Sequence, residues 1–327
     1  MTNLFLVLYH PWLVQRDGRQ ASAAVEGCHV VDLGTISYYA YRTLGAVMPR
    51  IPPRLGYALY ERLGKLAYEK GATSRENVHE NLRYVLGPDA EPERTEAVAR
   101  EIFRNQARNY FDLFRVAALN GEQIRSLVTV HGTEHLDNAL DAGHGVILVS
   151  AHFGNVDIVV QMLALLDYRV TTVDERLKPE KLYRYVSSLR GSKGMTLVPI
   201  DGFLRPLFRA LHRNEIVALA ADRNLTGTGT VVDFFGAPCL LNDGHVNLAL
   251  RTGAKLIPAY SLRQSDNRFE AFVEPPLELE RTGDRVADVR TGMAKLAAAL
   301  QNFIGEHPEQ WVMFQPIWRI PRESSPI

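Results

Sequence analysis

Residues 143–157 read Gly-His-Gly-Val-Ile-Leu-Val-Ser-Ala-His-Phe-Gly-Asn-Val-Asp, and few folds accommodate that order. Gly145 to Ser150 is a short apolar run rich in Val, Ile and Leu, of strand length and closed by small residues at its start, which predicts a buried strand. The run stops at His152. After Gly154 and Asn155 the chain re-opens as a longer apolar segment, Val156 to Leu166, which predicts a helix. Asn155 suits the N-cap, and Asp157 falls in the first turn, where the helix dipole favours a carboxylate. His152 is then left at the carboxyl end of a strand, where open α/β sheets place their ligand sites.

The rest of the chain repeats this alternation. YRVTTV, MTLVPI, EIVALAAD, AKLIPAYSL and RFEAFVEPP are strand-like runs. Between them lie helical segments at Pro179 to Lys193, around Phe203 to Arg213 and at His245 to Arg251, and Val286 to Gly305 closes the series. The order predicts an α/β fold with a central, mostly parallel or mixed sheet flanked by helices. Before it, helices are expected from about Ile36 to Tyr68, split at Pro52-Pro53, then at Arg75 to Tyr84 and Glu93 to Leu119. We divide the chain into an unassigned segment (1–34), a helical segment (35–120) and an α/β core (121–327), the last two forming one continuous unit. Composition is that of an ordinary globular protein, 46% hydrophobic and 23% charged, and a net charge of zero argues against nucleic acid as a partner. Two cysteines, Cys28 and Cys239, make neither a disulfide framework nor a metal set.

The spacing His152-x4-Asp157 has a definite chemical meaning only in this setting. On one continuous helix the two residues would be about 140° apart, from the 3.6-residue turn, and would not share a face. Across a strand-to-helix corner they can converge. A carboxylate there accepts the Nδ1 proton of the imidazole and leaves Nε2 to take a proton from a substrate. Alone the pattern is short enough to recur by chance, as a histidine held by backbone and an aspartate that favours the helix end.

The surrounding blocks add to it. VILVSAHFGNVD resembles the His-x4-Asp/Glu block of the glycerolipid acyltransferases, and more narrowly that of the bacterial lipid A lauroyl/myristoyl and phosphatidylinositol-mannoside acyltransferase branch. ENLRYVLGPD (80–89), FRNQARNYFDLFR (103–115), DERLKPEKLYRYVSSLRGSKGM (174–195), ALAADRNLTGTGTVVDFFGAP (218–238) and HPEQWVMFQPIW (307–318) are similar to the other blocks of that branch, in the same order. The resemblance spans roughly residues 35 to 320. It implies an O-acyltransferase that moves a fatty acyl chain from an acyl-CoA or acyl-carrier-protein thioester to a hydroxyl of a membrane lipid or glycolipid. It implies His152 as general base, Asp157 as its orienter and no cofactor or metal.

The same blocks nominate further residues. Between Arg169 and Arg213 there are ten Lys or Arg and four acids, a local balance of +6, suited to a phosphate-bearing lipid head or an anionic acyl carrier. Within it, the resemblance singles out Glu175, Arg176 and Arg190 for substrate binding. EIVALAAD ends on Asp222, followed by Arg223 and a Gly-rich turn. In the mannoside branch a second acid assists the histidine; Asp222 is the candidate, with Asp233 next and Arg223 beside it as a substrate ligand. The backbone N–H groups of Gly154 and Asn155, at a helix N-terminus, are candidates for the oxyanion. Phe153, Phe234 and Phe235 are either acyl-tunnel wall or core.

Several alternatives fail on the residues present. There is no G-x-S-x-G elbow, so Ser150 has no nucleophile motif around it. Gly227-Thr-Gly229 lacks the third glycine of a dinucleotide fingerprint. FLVLY near the start is too short to span a bilayer and lacks a basic flank, so neither a signal peptide nor a membrane span is expected. Tyr38, Tyr39, Tyr41, Leu55 and Leu59, mixed with Arg42, Arg54, Arg62 and Lys65, suit either a membrane interface or a pair of docking helices with a solvated basic face; the first makes a peripheral protein at the cytoplasmic face of the cell membrane. Two other functions share the fold: a lipid or acyl-carrier binding protein without chemistry, and a thioesterase that uses water as acceptor.

Overall fold

A computed structural model describes residues 33–201, 204–224 and 227–319. The unassigned segment, apart from its last two residues, and Cys28 lie outside them, as does Phe203.

The helical part comes first: α1 (Leu33–Val47), a 3-10 turn (Met48–Arg50), α2 (Pro53–Lys70), α3 (Ala72–Val85) and α4 (Pro92–Ala118). Pro53 sits at the first position of α2 and Pro92 at that of α4, where a missing N–H costs nothing. Tyr41, Tyr57, Tyr60 and Tyr68 turn inward and pack with Phe103, Phe111 and Phe114 of α4. Burying this many aromatic rings explains why α4, twenty-seven residues long, holds as a central strut. Its polar face matters as much. Asn105 Nδ2 donates to the Glu309 carbonyl at 2.9 Å, and Asn109 Nδ2 donates to the Gly154 carbonyl at 2.7 Å. Asn81 of α3 donates to the carbonyls of Met313 and Gln315. The ENLR and FRNQARNYF blocks therefore tie the 309–315 segment and the Gly154 corner to the helices.

The α/β part follows as α5 (Gly121–Arg125), β1 (Val128–His131), α6 (Thr133–Asp141), β2 (Val146–Ser150), α7 (Val156–Leu165), β3 (Val170–Asp174), α8 (Glu180–Arg190) and β4 (Thr196–Pro199). Then come α9 (Arg205–His212), β5 (Ile216–Ala220), β6 (Thr230–Phe234), β7 (Ala237–Leu241), α10 (Gly244–Thr252), β8 (Lys255–Arg263), β9 (Phe269–Val273) and α11 (Arg285–Glu306). Among the described residues, seven strands form one sheet in the order β1-β9-β8-β2-β5-β3-β4, parallel throughout except for the β8–β9 pair. That is the expected α/β architecture. Val146, Ile147, Leu148 and Val149 of β2 are all buried, as a strand covered by helices on both faces requires. Sequence reading missed β1 with α6, and it missed the β6–β7 hairpin, whose Phe235-Gly236 turn has positive φ at both residues. Asp233 Oδ1 accepts from Gly236 N at 3.1 Å, so this carboxylate closes the hairpin turn and does not approach His152.

Register positions the site. Ser150 of β2 pairs with Ala220 of β5, so two residues further along both chains His152 meets Asp222. On the other side β2 runs parallel to β8, with Val149 opposite Pro258. This brings Ser261 to the level of His152.

Candidate active site

His152 is the centre of a hydrogen-bonded group at the carboxyl edge of the sheet. Its Nδ1 lies 2.8 Å from Asp222 Oδ1, and its backbone N–H donates to Asp222 Oδ2 at 2.9 Å. Trp311 Nε1 donates to the same Oδ2 at 2.8 Å. Asp222 is fully buried. Burial by itself would push its carboxyl up, but the charge of His152 and the hydrogen bonds from His152 and Trp311 outweigh that and hold it below the usual carboxylate range. An ionised Asp222 accepting from Nδ1–H leaves Nε2 as the free base, and the His152 side chain remains 38% exposed, open to a substrate.

The orienter expected from the sequence was Asp157, and here the structure differs. Asp157 Oδ1 accepts from Arg190 Nε at 2.8 Å and from Nη2 at 2.7 Å. Arg190 Nη1 reaches Asp174 Oδ1 at 2.5 Å. The reason is geometric: strand register puts Asp222 beside the imidazole, whereas the first turn of α7 aims Asp157 toward the end of α8. Burial works to lower the Arg190 guanidinium, but Asp157 and Asp174 on either side of it keep its pKa raised. Arg190 is thus a fixed cation held between two carboxylates.

The oxyanion donors expected at the corner are also otherwise engaged. Gly154 N donates to the Gln310 carbonyl at 2.8 Å, and Asn155 N donates to Ser261 Oγ at 3.1 Å. Asn155 does cap α7, its Oδ1 accepting from Ile158 N, while its Nδ2 donates to Asp112 Oδ2. Asp112 in turn is ion-paired at 2.6 Å with Arg263, both almost wholly buried, and accepts from Tyr57. The corner is therefore locked from α4, β8 and residue 310 at once. Gly154 has φ +59, and a Cβ there would lie 1.9 Å from the Ser261 carbonyl oxygen, so only glycine fits.

The other nominated residues separate. Glu175 and Arg223 form an ion pair at 3.0 Å, and Arg223 Nε also donates to Gln315 Oε1. Both line, with His152, Asp157 and Arg190, a cavity of about 380 Å³. Arg176 does not: it lies on the surface with Asp201 and Glu180. A short turn carries it away from the cavity that Glu175 faces. Beyond the polar group the cavity is walled by Leu113 of α4, Leu148 of β2, Val159 and Val160 of α7, Val186 of α8 and Met195. Its size is that of a small-ligand site. Phe153 borders it and also stacks edge-on against Phe303, but Phe234 and Phe235 pack around Trp318 in the core away from it. Trp311 and Asp174 were not singled out from the sequence. Trp311 lies inside the HPEQWVMFQPIW block, and Asp174 closes β3 and opens the 174–195 block, which was the available signal.

A histidine oriented by a buried carboxylate at the edge of an apolar cavity suits transfer of a hydrophobic group. Over residues 29–320 the chain matches the family of bacterial lipid A biosynthesis acyltransferases. The chain belongs to that family. It is 36% identical over 251 residues to a phosphatidylinositol mannoside acyltransferase of Mycobacterium tuberculosis, covering 74% of this chain and 77% of that one. A phosphatidylinositol mannoside acyltransferase of Mycolicibacterium smegmatis is 32% identical over 297 residues, with 89% and 92% covered. A lipid A biosynthesis myristoyltransferase of Escherichia coli is 23% identical over 282 residues, with 84% and 85% covered. The protein is accordingly an O-acyltransferase.

Proposed function

We propose that this acyltransferase transfers a fatty acyl chain from an acyl-CoA or acyl-carrier-protein thioester to a hydroxyl of a phosphatidylinositol mannoside. The observation that carries the mechanism is the 2.8 Å contact between His152 Nδ1 and Asp222 beside the apolar cavity. His152 Nε2 takes the proton of the acceptor hydroxyl as its oxygen attacks the thioester carbonyl carbon. The tetrahedral intermediate collapses, the C–S bond breaks, and the imidazolium returns the proton to the leaving thiolate. Asp222 fixes the tautomer throughout and offsets the charge of the imidazolium. The apolar wall from Leu113 to Met195 takes the acyl chain, and Arg190, Glu175 and Arg223 face the polar parts of donor or acceptor.

The mannoside acceptor is favoured over lipid A by the mannoside relatives, which are 36% and 32% identical where the lipid A relative is 23%. A peripheral seat on the membrane is supported by α2. Leu55, Leu59 and Leu66 are exposed and fall, with Arg62, on one stripe of the helix, flanked by Arg54 and Lys65. Of the aromatic side chains of α1, Tyr41 is buried and Tyr39 is exposed, while Arg42 lies over the Tyr185 ring. Among the described residues no helix is long and apolar enough to cross a membrane.

The test is acyl transfer from radiolabelled myristoyl-CoA and from the matching acyl-carrier protein to purified phosphatidylinositol mannosides and to a lipid A precursor. His152→Ala should reduce transfer by roughly 10²–10⁴-fold while the variant still folds. Turnover of that variant close to wild type would end the assignment of the base. Release of free fatty acid without transfer would favour a thioesterase.

A further inference from the structure

With the N–H groups of Gly154 and Asn155 committed to Gln310 and Ser261, the corner no longer supplies the donors that a developing oxyanion needs. A different donor stands in the cavity. Ser150 is the last residue of β2 and precedes His152 by two, which in extended chain puts both side chains on the same side. It lines the same cavity as His152. Its Oγ is buried, and it has no hydrogen-bond partner among the described residues.

The neighbours explain why it stays unpartnered. On β5 the residue paired with Ser150 is Ala220, and on β8 the residue following the Val149–Pro258 pair is Ala259; both line the cavity. Ser150 is thus a hydroxyl flanked on the sheet by two methyl groups. A buried hydroxyl without a partner is destabilising, and an apolar side chain of that size would not be. The Ser150 backbone is fixed, since its carbonyl accepts from Ala221 N at 2.7 Å, one residue before Asp222. The hydroxyl is therefore held on the same strand pairing that sets the His152–Asp222 contact.

We propose that Ser150 is a further catalytic residue, its Oγ–H donating to the carbonyl oxygen of the acyl thioester. This rests on the acyl-transfer reading above. As the acceptor oxygen bonds to the carbonyl carbon, the π pair moves onto the carbonyl oxygen, and the Ser150 hydroxyl stabilises that charge. When the pair returns, the C–S bond breaks and the thiolate leaves with the proton from His152. Ser150 itself forms no covalent bond and loses no proton.

Two measurements test it. In steady state, Ser150→Ala should lower kcat by roughly a hundredfold with little change in KM for the donor, and Ser150→Thr should restore part of the loss. In the second, myristoyl-CoA labelled with 13C at its carbonyl is bound to His152→Ala and to the His152→Ala, Ser150→Ala double variant. Infrared difference spectra should show a carbonyl stretch lowered by hydrogen bonding in the first and shifted back up in the second. The proposal is overturned if Ser150→Ala keeps kcat within about twofold of wild type, if the stretch is the same in both variants, or if mass spectrometry traps an acyl group on Ser150. Full activity of His152→Ala would refute the base instead, while the spectra would still judge Ser150.

Discussion

Asp157 gives one carboxylate oxygen to two nitrogens of Arg190, at 2.8 and 2.7 Å, and Arg190 uses its remaining arm on Asp174. The acid of the His-x4-Asp unit is thus an anchor for a half-buried cation, and we expect its influence on the reaction to run through Arg190. Asp157→Asn should lower activity about tenfold, and adding it to Arg190→Ala should cost little more than Arg190→Ala alone, because residues of one ion-pair network are not additive. A double-mutant cycle on kcat/KM checks this. Fully additive losses would return Asp157 to a separate role.

Asp222→Asn carries the larger penalty. The amide can present its NH2 to Nδ1 and invert the tautomer, leaving Nε2 protonated and unable to act as base. We expect kcat to fall by about 10³–10⁴-fold, as when the carboxylate behind a catalytic histidine is neutralised, with KM for the donor nearly unchanged. Asp222→Asn should therefore exceed Asp157→Asn by at least an order of magnitude in parallel assays.

The same carboxylate contributes to stability in a pH-dependent way. Its folded pKa is depressed, so its contribution is present above the unfolded-state value of about 3.9 and is lost as pH falls through the lower folded value. Thermal melts of wild type should thus lose stability below about pH 4. Asp222→Asn, less stable at neutral pH, should show a shallower acid slope. Parallel slopes would mean that Asp222 is not the group concerned.

Gly154→Ala should fail structurally. The new methyl would meet the Ser261 carbonyl at 1.9 Å, in a backbone conformation with φ +59. Relief requires β8 or the corner to move, breaking the Gly154–Gln310 or Asn155–Ser261 hydrogen bond. A loss of about 2–4 kcal/mol is expected from left-handed strain and overlap together, read as a fall in the chemical-denaturation midpoint and in activity.

How much of this was legible depended on distance along the chain. The β2–corner–α7 unit is local, and its residues encode it: a β-branched apolar run, a glycine that must take positive φ, and an Asn that caps α7. The sheet's parallel character followed from strand–helix alternation. Which acid would face His152 did not, because it depends on β2 pairing with β5 and on the register of that pair, seventy residues away. The direction of Tyr41 had the same origin. A Tyr- and Arg-rich helix reads equally as an interface or as a docked scaffold until its partner is known, and Phe114 of α4 is that partner. The committed Gly154 and Asn155 donors were invisible for a related reason, since their acceptors lie on β8 and at residue 310.

Within the segment that suits a membrane interface, the structure exposes the leucines of α2 and buries Tyr41. The exposed apolar stripe of α2 is Leu55 at 64%, Leu59 at 42% and Leu66 at 38%, with Arg62 among them and Arg54 and Lys65 at its margins. Each leucine that inserts gains about 1–2 kcal/mol from reburial, and each arginine near an anionic surface gains about 1 kcal/mol that salt screens. Binding should therefore be tighter to anionic than to neutral vesicles, loosen with salt and persist in part at high salt. Leu55→Ser with Leu59→Ser should remove the salt-resistant part without altering the fold, while Arg54→Ser with Arg62→Ser should remove the preference for anionic lipid. Tyr41→Ser should instead lower thermal stability, since it opens a hole against Phe114. Vesicle sedimentation separates these cases: equal binding of wild type and the leucine variant would show that α2 is not the membrane face.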